Sequence, residues 1–239
     1  VVSTVLNQAL RALAMTHISP QRLFVKGQWQ MIEKLFDQGR YSFAIAMLYH
    51  ALPQSIPVFI AKGLGVASVG YYYLAFNWAN AFVNNVVHIV GRVAFPAVAA
   101  LESDRERVTR VYDEYLSRIS LLAAPFNIGL AVLAPIFIPL ILGEKWQPAV
   151  KACQIICAHG YFSALFSVGY NVMQSTGHFK KVSFFLFCEL LFIFVLINPT
   201  LQAFGLSGVA MVVAGGKGLG LLCLMFSTAK VLEHSLVKS

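Results

Sequence analysis

Six long apolar runs constrain this chain more than any other feature of its sequence. They cover residues 41–61, 71–95, 119–142, 150–173, 182–203 and 205–229. A helix needs roughly 20 residues to cross a hydrocarbon core about 30 Å thick, and each run is long enough. The composition agrees, because 58% of the residues are hydrophobic and 12% are charged, against about 25% charged in an ordinary soluble domain. The runs predict an all-α, polytopic membrane protein with six transmembrane helices.

The Lys and Arg residues are distributed unevenly over the two sides of these runs. Thirteen of the 18 lie before the first run, after the second, after the fourth or after the last, whereas the other side has Lys62, Lys145 and Lys151. Since cytoplasmic loops are enriched in these residues, both ends of the chain are expected in the cytoplasm. The positive charge is spread over four segments rather than one basic face, so the lipid bilayer is the expected partner and nucleic acid is not.

The segment between the second and third runs is densely charged. Ser103 and Glu106 have the spacing of a helix capping box, and Glu114 lies four residues before Arg118, as in a helical ion pair. Apolar residues recur at helical spacing on another face, namely Val108, Val111, Tyr112, Tyr115 and Ile119. The segment therefore predicts an amphipathic cytoplasmic helix that leads into the third run.

The first 40 residues are expected to form a separate part of the chain. Residues 1–16 look like the end of a helix, and no signal-peptide pattern precedes them. We expect residues 1–40 to comprise the end of a preceding membrane helix and a cytoplasmic linker, and residues 41–239 to form a six-helix transmembrane lobe. On this interpretation the chain is part of a longer protein.

Five stretches, taken in order, resemble a known family. They are LGVASVGYYYLAF (64–76), GRVAFPAVAALESDRERV (91–108), LLAAPFNIGLAVLAPIFIPLILGEKWQPAV (121–150), QSTGHFKK (174–181) and GLSGVAM (205–211). Their order and spacing resemble the C-terminal half of the bacterial polysaccharide flippases. These are the lipopolysaccharide and O-antigen exporters of the multidrug/oligosaccharidyl-lipid/polysaccharide exporter superfamily.

The resemblance implies a transporter with two pseudo-symmetric lobes in the bacterial inner membrane. Such a protein moves an undecaprenyl-diphosphate-linked oligosaccharide to the outer leaflet by alternating access. This chain would supply the second lobe, and the first lobe would be its partner within the same protein. The family often places an acidic or amide residue midway along the first of these helices. The middle of that run here, LPQSIPV (52–58), has no acid, so the resemblance implies no ion coupling through an acid there.

Two charged residues lie deep inside the fifth and sixth runs, Glu189 and Lys217. A charge within the membrane costs about 2.5–3.5 kcal/mol on insertion scales, so each is a candidate functional residue. The two runs are consecutive and antiparallel, and the depths differ by about 8 Å at 1.5 Å per residue. Three interpretations remain open: a structural ion pair, a Lys217 that faces a cavity and meets a lipid diphosphate, or a position that faces lipid.

Four further residues are transport candidates. Gln54 lies between two prolines that would kink the first run, and Asn77 and Asn84 belong to a polar stripe on the second. Arg92, at the cytoplasmic end of the second run, either snorkels to the surface or contacts an entering diphosphate.

The sequence does not predict an enzyme, a cofactor or a metal site. The stretch AGGKGLG (214–220) lacks the glycine spacing and the Ser or Thr of a phosphate-binding loop, and it favours close helix packing through Gly216 and Gly220. Cys153, Cys157, Cys188 and Cys223 are expected to be small buried hydrophobic residues. His159 is expected to be an isolated structural residue.

Three other functions remain open. One is a multidrug or peptidoglycan-precursor exporter of the same superfamily. Another is a membrane glycosyltransferase or O-antigen ligase, for which the non-cytoplasmic loops are too short to hold a site. The last is a fragment that is inactive alone.

The predicted topology can be tested by cysteine labelling. Single cysteines at Ser103 and Ser239, in a background without the native cysteines, should be protected from a membrane-impermeant maleimide added to intact cells. Both should react once the inner membrane is permeabilised, because the positive-inside rule places both sites in the cytoplasm. Labelling of either site in intact cells would contradict the orientation.

Overall fold

The computed structural model describes residues 29–87 and 105–236, and every regular element in these ranges is helical. The helices are α1 (Trp29–Leu64), α2 (Val66–Ala79), α3 (Arg105–Leu142), α4 (Gln147–Ser175) and α5 (Phe179–Leu236), with a short π-helix at Val83–Val87 and a 3₁₀ turn at Glu144–Trp146. The chain divides into two compact units, residues 1–39 and 40–239. Of the first unit, residues 29–39 are described, and they are helical.

Four stretches of the described residues are long and apolar enough to cross a membrane. They are Gly39–Leu64, Thr109–Leu142, Glu144–Ser175 and Phe179–Thr228. The protein is therefore an all-α, multi-pass membrane protein, as the apolar runs predicted. The predicted number of six spans stays a prediction.

Helix α5 contains the fifth and sixth predicted runs. Gly205 separates them with a φ of 59° and a ψ of −137°, a conformation outside the helical region that glycine adopts at little cost. The two halves, residues 179–204 and 206–236, pack closely at Gly216, where an added Cβ would lie 3.2 Å from Ile193 Cγ1. This contact fits the expected role of Gly216 in close helix packing.

The second predicted run differs most from expectation. Helix α2 begins at Val66 rather than at residue 71, and it ends at Ala79. The Asn80 side chain donates a hydrogen bond of 2.8 Å to the Phe76 carbonyl, and the π-helix follows at Val83. The described part of this run is therefore helical but changes from α-helix to π-helix after Ala79, and both the backbone N–H and the side-chain amide of Asn80 donate to the Phe76 carbonyl.

The charged segment before the third run does not form a separate helix. It is the first part of α3, which continues without interruption into the apolar part. Glu114 and Arg118 form the predicted ion pair, and Tyr112 and Ile119 of the predicted apolar face are buried. Ser103 lies outside the described residues.

Helix α4 is the central helix of the second unit. In the most apolar stretch of this span, 61% is buried within the protein, whereas 22–28% of the corresponding stretches of the other three candidate spans is buried. It packs against α2, α3 and α5. Many of the large side chains left exposed on α3 and α5 are apolar, including Leu121, Leu140 and Phe226, which suits contact with lipid.

Gly160 of α4 allows a close approach between helices in this core. A Cβ at this position would collide with the Ala79 carbonyl oxygen of α2 and with the Asn127 side-chain oxygen of α3. We predict that Gly160→Ala lowers the free energy of unfolding of the detergent-solubilised protein by about 1–3 kcal/mol, because the backbone of α2 must move away. The thermal midpoint of unfolding should fall with it.

The matched control is Gly129→Ala in α3, where an added Cβ would have no atom within 4 Å. This substitution should be neutral or slightly stabilising, since alanine favours the helix. Equal thermal midpoints for the two variants would show that the contact at Gly160 does not limit packing.

Candidate functional site

A cavity of about 230 Å³ lies among α1, α2, α4 and both halves of α5. Its lining combines apolar side chains with a set of polar ones: Tyr49, Asn80, Asn84, His159, Ser163, Glu189 and Lys217. Polar side chains inside a membrane helix bundle are costly, so their convergence on one cavity marks a candidate functional site.

Glu189 and Lys217 form an ion pair on one wall of this cavity. Lys217 Nζ lies 2.8 Å from Glu189 Oε1 and 2.9 Å from Oε2, and the residues are 8% and 5% exposed, respectively. The Phe166 ring centroid lies 4.5 Å from the same Nζ, which is a cation–π arrangement. Gly220 lies beside the carboxylate, and an added Cβ there would lie 3.4 Å from Oε2, at ordinary van der Waals distance. The ammonium group is therefore held by both carboxylate oxygens and by an aromatic face.

A second part of the lining is built where α2 ends. Asn80 is buried, and its backbone carbonyl accepts a hydrogen bond of 2.9 Å from the Asn84 amide nitrogen. Asn84, in the π-helix, is exposed and lines the cavity. A π-helical turn changes the direction of the side chains that follow it, and such turns are frequent at functional sites. The end of α2 thus directs two amide side chains to the same cavity.

His159 of α4 completes this part of the lining. It is 6% exposed, and its ring centroid lies 5.2 Å from that of Phe76. Within the described residues, its Nδ1 atom is buried without a hydrogen-bond partner. Because buried polar atoms nearly always have a partner, this nitrogen is a candidate ligand-binding atom.

The structure brings together three of the six residues singled out from the sequence. Glu189, Lys217 and Asn84 line the cavity. Gln54 and Asn77 are exposed and do not line it. Arg92 lies outside the described residues.

Sequence reasoning missed His159, Ser163 and Tyr49 as lining residues. His159 and Ser163 lie four residues apart on α4, so one helix face presents both, and this spacing was the available signal. The expectation for the cysteines was wrong in part. Cys153 and Cys157 are buried, but Cys188 and Cys223 are exposed, because they lie on outer faces of α5.

A family model described as polysaccharide biosynthesis protein matches residues 1–151. The chain belongs to this family. An uncharacterized membrane protein of the cps region of Klebsiella pneumoniae is 36% identical over 101 residues, which is 42% of this chain and 21% of that protein. The lipopolysaccharide biosynthesis protein WzxC of Escherichia coli K12 is 34% identical over 101 residues, 42% of this chain and 20% of that protein.

The teichuronic acid biosynthesis protein TuaB of Bacillus subtilis 168 is 27% identical over 120 residues, half of this chain. The matched regions thus span about a fifth to a quarter of the length of these curated relatives. No solved structure matches the chain significantly. Two of these relatives are named for different polymers, lipopolysaccharide and teichuronic acid. The family model ends at residue 151 and does not include residues 152–239.

The ion pair of this family member can be tested by removing one partner or both. Glu189→Gln alone should lower protein abundance in the membrane, because it leaves the Lys217 ammonium buried without its counter-charge, a loss of about 3–5 kcal/mol. The double variant Glu189→Gln with Lys217→Met should recover most of the abundance, since replacing a whole buried pair is often tolerated. Immunoblots of membrane fractions measure this. Equal loss in the single and double variants would contradict a stabilising pair.

Proposed function

We propose that this chain forms one lobe of an exporter that moves a lipid-linked oligosaccharide from the cytoplasmic to the outer leaflet of the bacterial inner membrane. The observation that carries this proposal is the polar cavity inside a helix bundle of a polysaccharide biosynthesis protein. The substrate is the undecaprenyl-diphosphate-linked precursor, and both ends of the chain lie in the cytoplasm.

The polar cavity supports transport because of where it lies. Its wall contains a buried ion pair and a buried histidine, which a purely structural membrane bundle has no need to gather in one place. A hydrophilic headgroup that crosses a bilayer needs polar surroundings at depth, and an interior cavity supplies them. Alternating access would expose this cavity to one side of the membrane at a time, with the second lobe formed by the rest of the transporter.

The same cavity argues against a glycosyltransferase. Such an enzyme uses a carboxylate that is free to accept or donate a proton. Of the described lining residues, Glu189 supplies the carboxylate, and both of its oxygens are held by Lys217. We therefore infer that the protein binds and moves its substrate without changing its covalent structure. Of the other candidates, Arg92 would act at the cytoplasmic entrance, and Gln54 and Asn77 would act from outside the cavity.

Deletion of the gene that encodes this chain tests the proposal. We predict loss of the surface polysaccharide, together with accumulation of the complete lipid-linked oligosaccharide on the cytoplasmic leaflet. The accumulated glycan should be accessible to a hydrolase only after the inner membrane is permeabilised, because the exporter acts after the oligosaccharide is assembled. Lipid extraction and mass spectrometry identify the accumulated species.

Two other outcomes would contradict export. A truncated lipid-linked glycan would indicate a glycosyltransferase, because its missing sugar is the one that the enzyme adds. A complete glycan accessible from the outside of intact cells would indicate a later step, such as ligation. Complementation with the unchanged gene is the control, and it should restore both the polymer and the normal precursor pool.

A further inference from the structure

The charged side chains that line the cavity neutralise each other. Among the described lining residues, the charged pair is Glu189 and Lys217, and each is bound to the other at 2.8–2.9 Å. An ammonium group has three N–H donors. Here the Glu189 carboxylate balances the charge of Lys217, and the Phe166 ring covers a further face of the ammonium group. A diphosphate that entered would meet no unpaired cation among these lining residues, and its desolvation would go uncompensated.

The remaining polar lining is suited to hydroxyl groups. His159 has a buried Nδ1 without a partner among the described residues. The Asn80 and Asn84 amides and the Ser163 hydroxyl each offer donor or acceptor atoms on neighbouring parts of the wall. Neutral donors and acceptors of this kind bind a ligand that is rich in hydroxyl groups without requiring it to carry charge.

The apolar lining residues and the volume of the cavity match a single ring of a sugar ligand. Tyr49 and Phe76 contribute aromatic side chains to the cavity, and aromatic rings bury large areas against apolar ligand surfaces. A pyranose ring has both an apolar C–H face and a hydroxyl edge. The volume of about 230 Å³ is below the roughly 300–1,000 Å³ of pockets for drug-sized ligands, so the cavity suits a single sugar rather than an oligosaccharide.

We propose that this cavity binds one neutral sugar residue of the glycan through His159, Asn80 and Asn84, and that it rejects the diphosphate. The inference rests on the proposed export function. It also assigns the Glu189–Lys217 pair a second role: by neutralising the lysine, Glu189 keeps the cavity selective for an uncharged ligand. The diphosphate is then held elsewhere in the transporter.

The first test measures binding of two probes to the purified protein in detergent by isothermal titration calorimetry. One probe is the oligosaccharide released from the host's lipid-linked precursor by mild acid and freed of phosphate; the other is inorganic pyrophosphate. The oligosaccharide should bind and pyrophosphate should not. Asn84→Ala and His159→Phe should each weaken oligosaccharide binding by about 2–10-fold, since each removes about one hydrogen bond.

Two controls accompany this measurement. Asn85→Ala changes the neighbouring exposed amide, which bonds to the Ala81 carbonyl and does not line the cavity, so it should leave oligosaccharide affinity unchanged. Sucrose at the same concentration controls for heats of dilution and for non-specific binding that an unrelated sugar would also give. Oligosaccharide affinity that is equal in the wild type, Asn84→Ala and His159→Phe would overturn the proposal.

The second test reverses the specificity. In Glu189→Gln, Lys217 keeps its charge without a counter-charge, so the monodisperse fraction of this variant should bind pyrophosphate at least tenfold more tightly than the wild type. The double variant Glu189→Gln with Lys217→Met should not bind it, because the cavity is again uncharged. Pyrophosphate binding by the wild type, in competition with the oligosaccharide, would overturn the proposal.

Transport in proteoliposomes separates this proposal from the export function on which it rests. If the wild type binds the released oligosaccharide with the expected dependence on Asn84 and His159 but transfers no lipid-linked precursor between leaflets, export fails and the sugar site stands. Transfer of the precursor without measurable binding of the released oligosaccharide overturns the sugar site and leaves export standing.

Discussion

The ion pair between Glu189 and Lys217 is the interaction on which the rest of this bundle depends. Either charge alone inside a membrane bundle costs several kcal/mol, and their contact at 2.8–2.9 Å offsets that cost. The contact requires the two halves of α5 to lie antiparallel with these residues at one depth. The turn at Gly205 reverses the chain, and the absence of a side chain at Gly216 allows the two halves to approach each other.

The position of α4 follows from the same constraint. Phe166 places an aromatic face over the Lys217 ammonium group, so α4 must lie against the hairpin at this level. On another face, Gly160 accommodates the Ala79 carbonyl at the end of α2. A helix held on both sides in this way becomes the buried centre of the unit, and it carries His159 to the cavity that the ion pair and the amides of Asn80 and Asn84 also line.

A cavity that is polar but neutral has a consequence for how a transporter could work. A free lysine would bind an anionic headgroup tightly and would release it slowly, whereas neutral hydrogen bonds contribute about 0.5–1.5 kcal/mol each and are easily exchanged. Transport requires that the substrate be bound in one conformation and released in the other. In the proposed exporter, the pairing of Lys217 with Glu189 favours weak and reversible recognition of the substrate in this cavity.

The sequence by itself determined the class of the protein and the depth of its charges. Apolar length alone predicted the helices, because a bilayer excludes unpaired backbone groups, and helical rise placed Glu189 near Lys217.

The sequence did not distinguish Asn84, which lines the cavity, from Asn77, which does not, and it treated His159 as isolated. In a membrane protein both the lipid-facing and the buried faces are apolar, so hydropathy does not show which way a helix is rotated. That rotation was decided by the tertiary structure, through the end of α2 at Ala79, the π-helix after it and the close contact at Gly160. These depend on how side chains of distant segments fit together, which no local pattern in the sequence records.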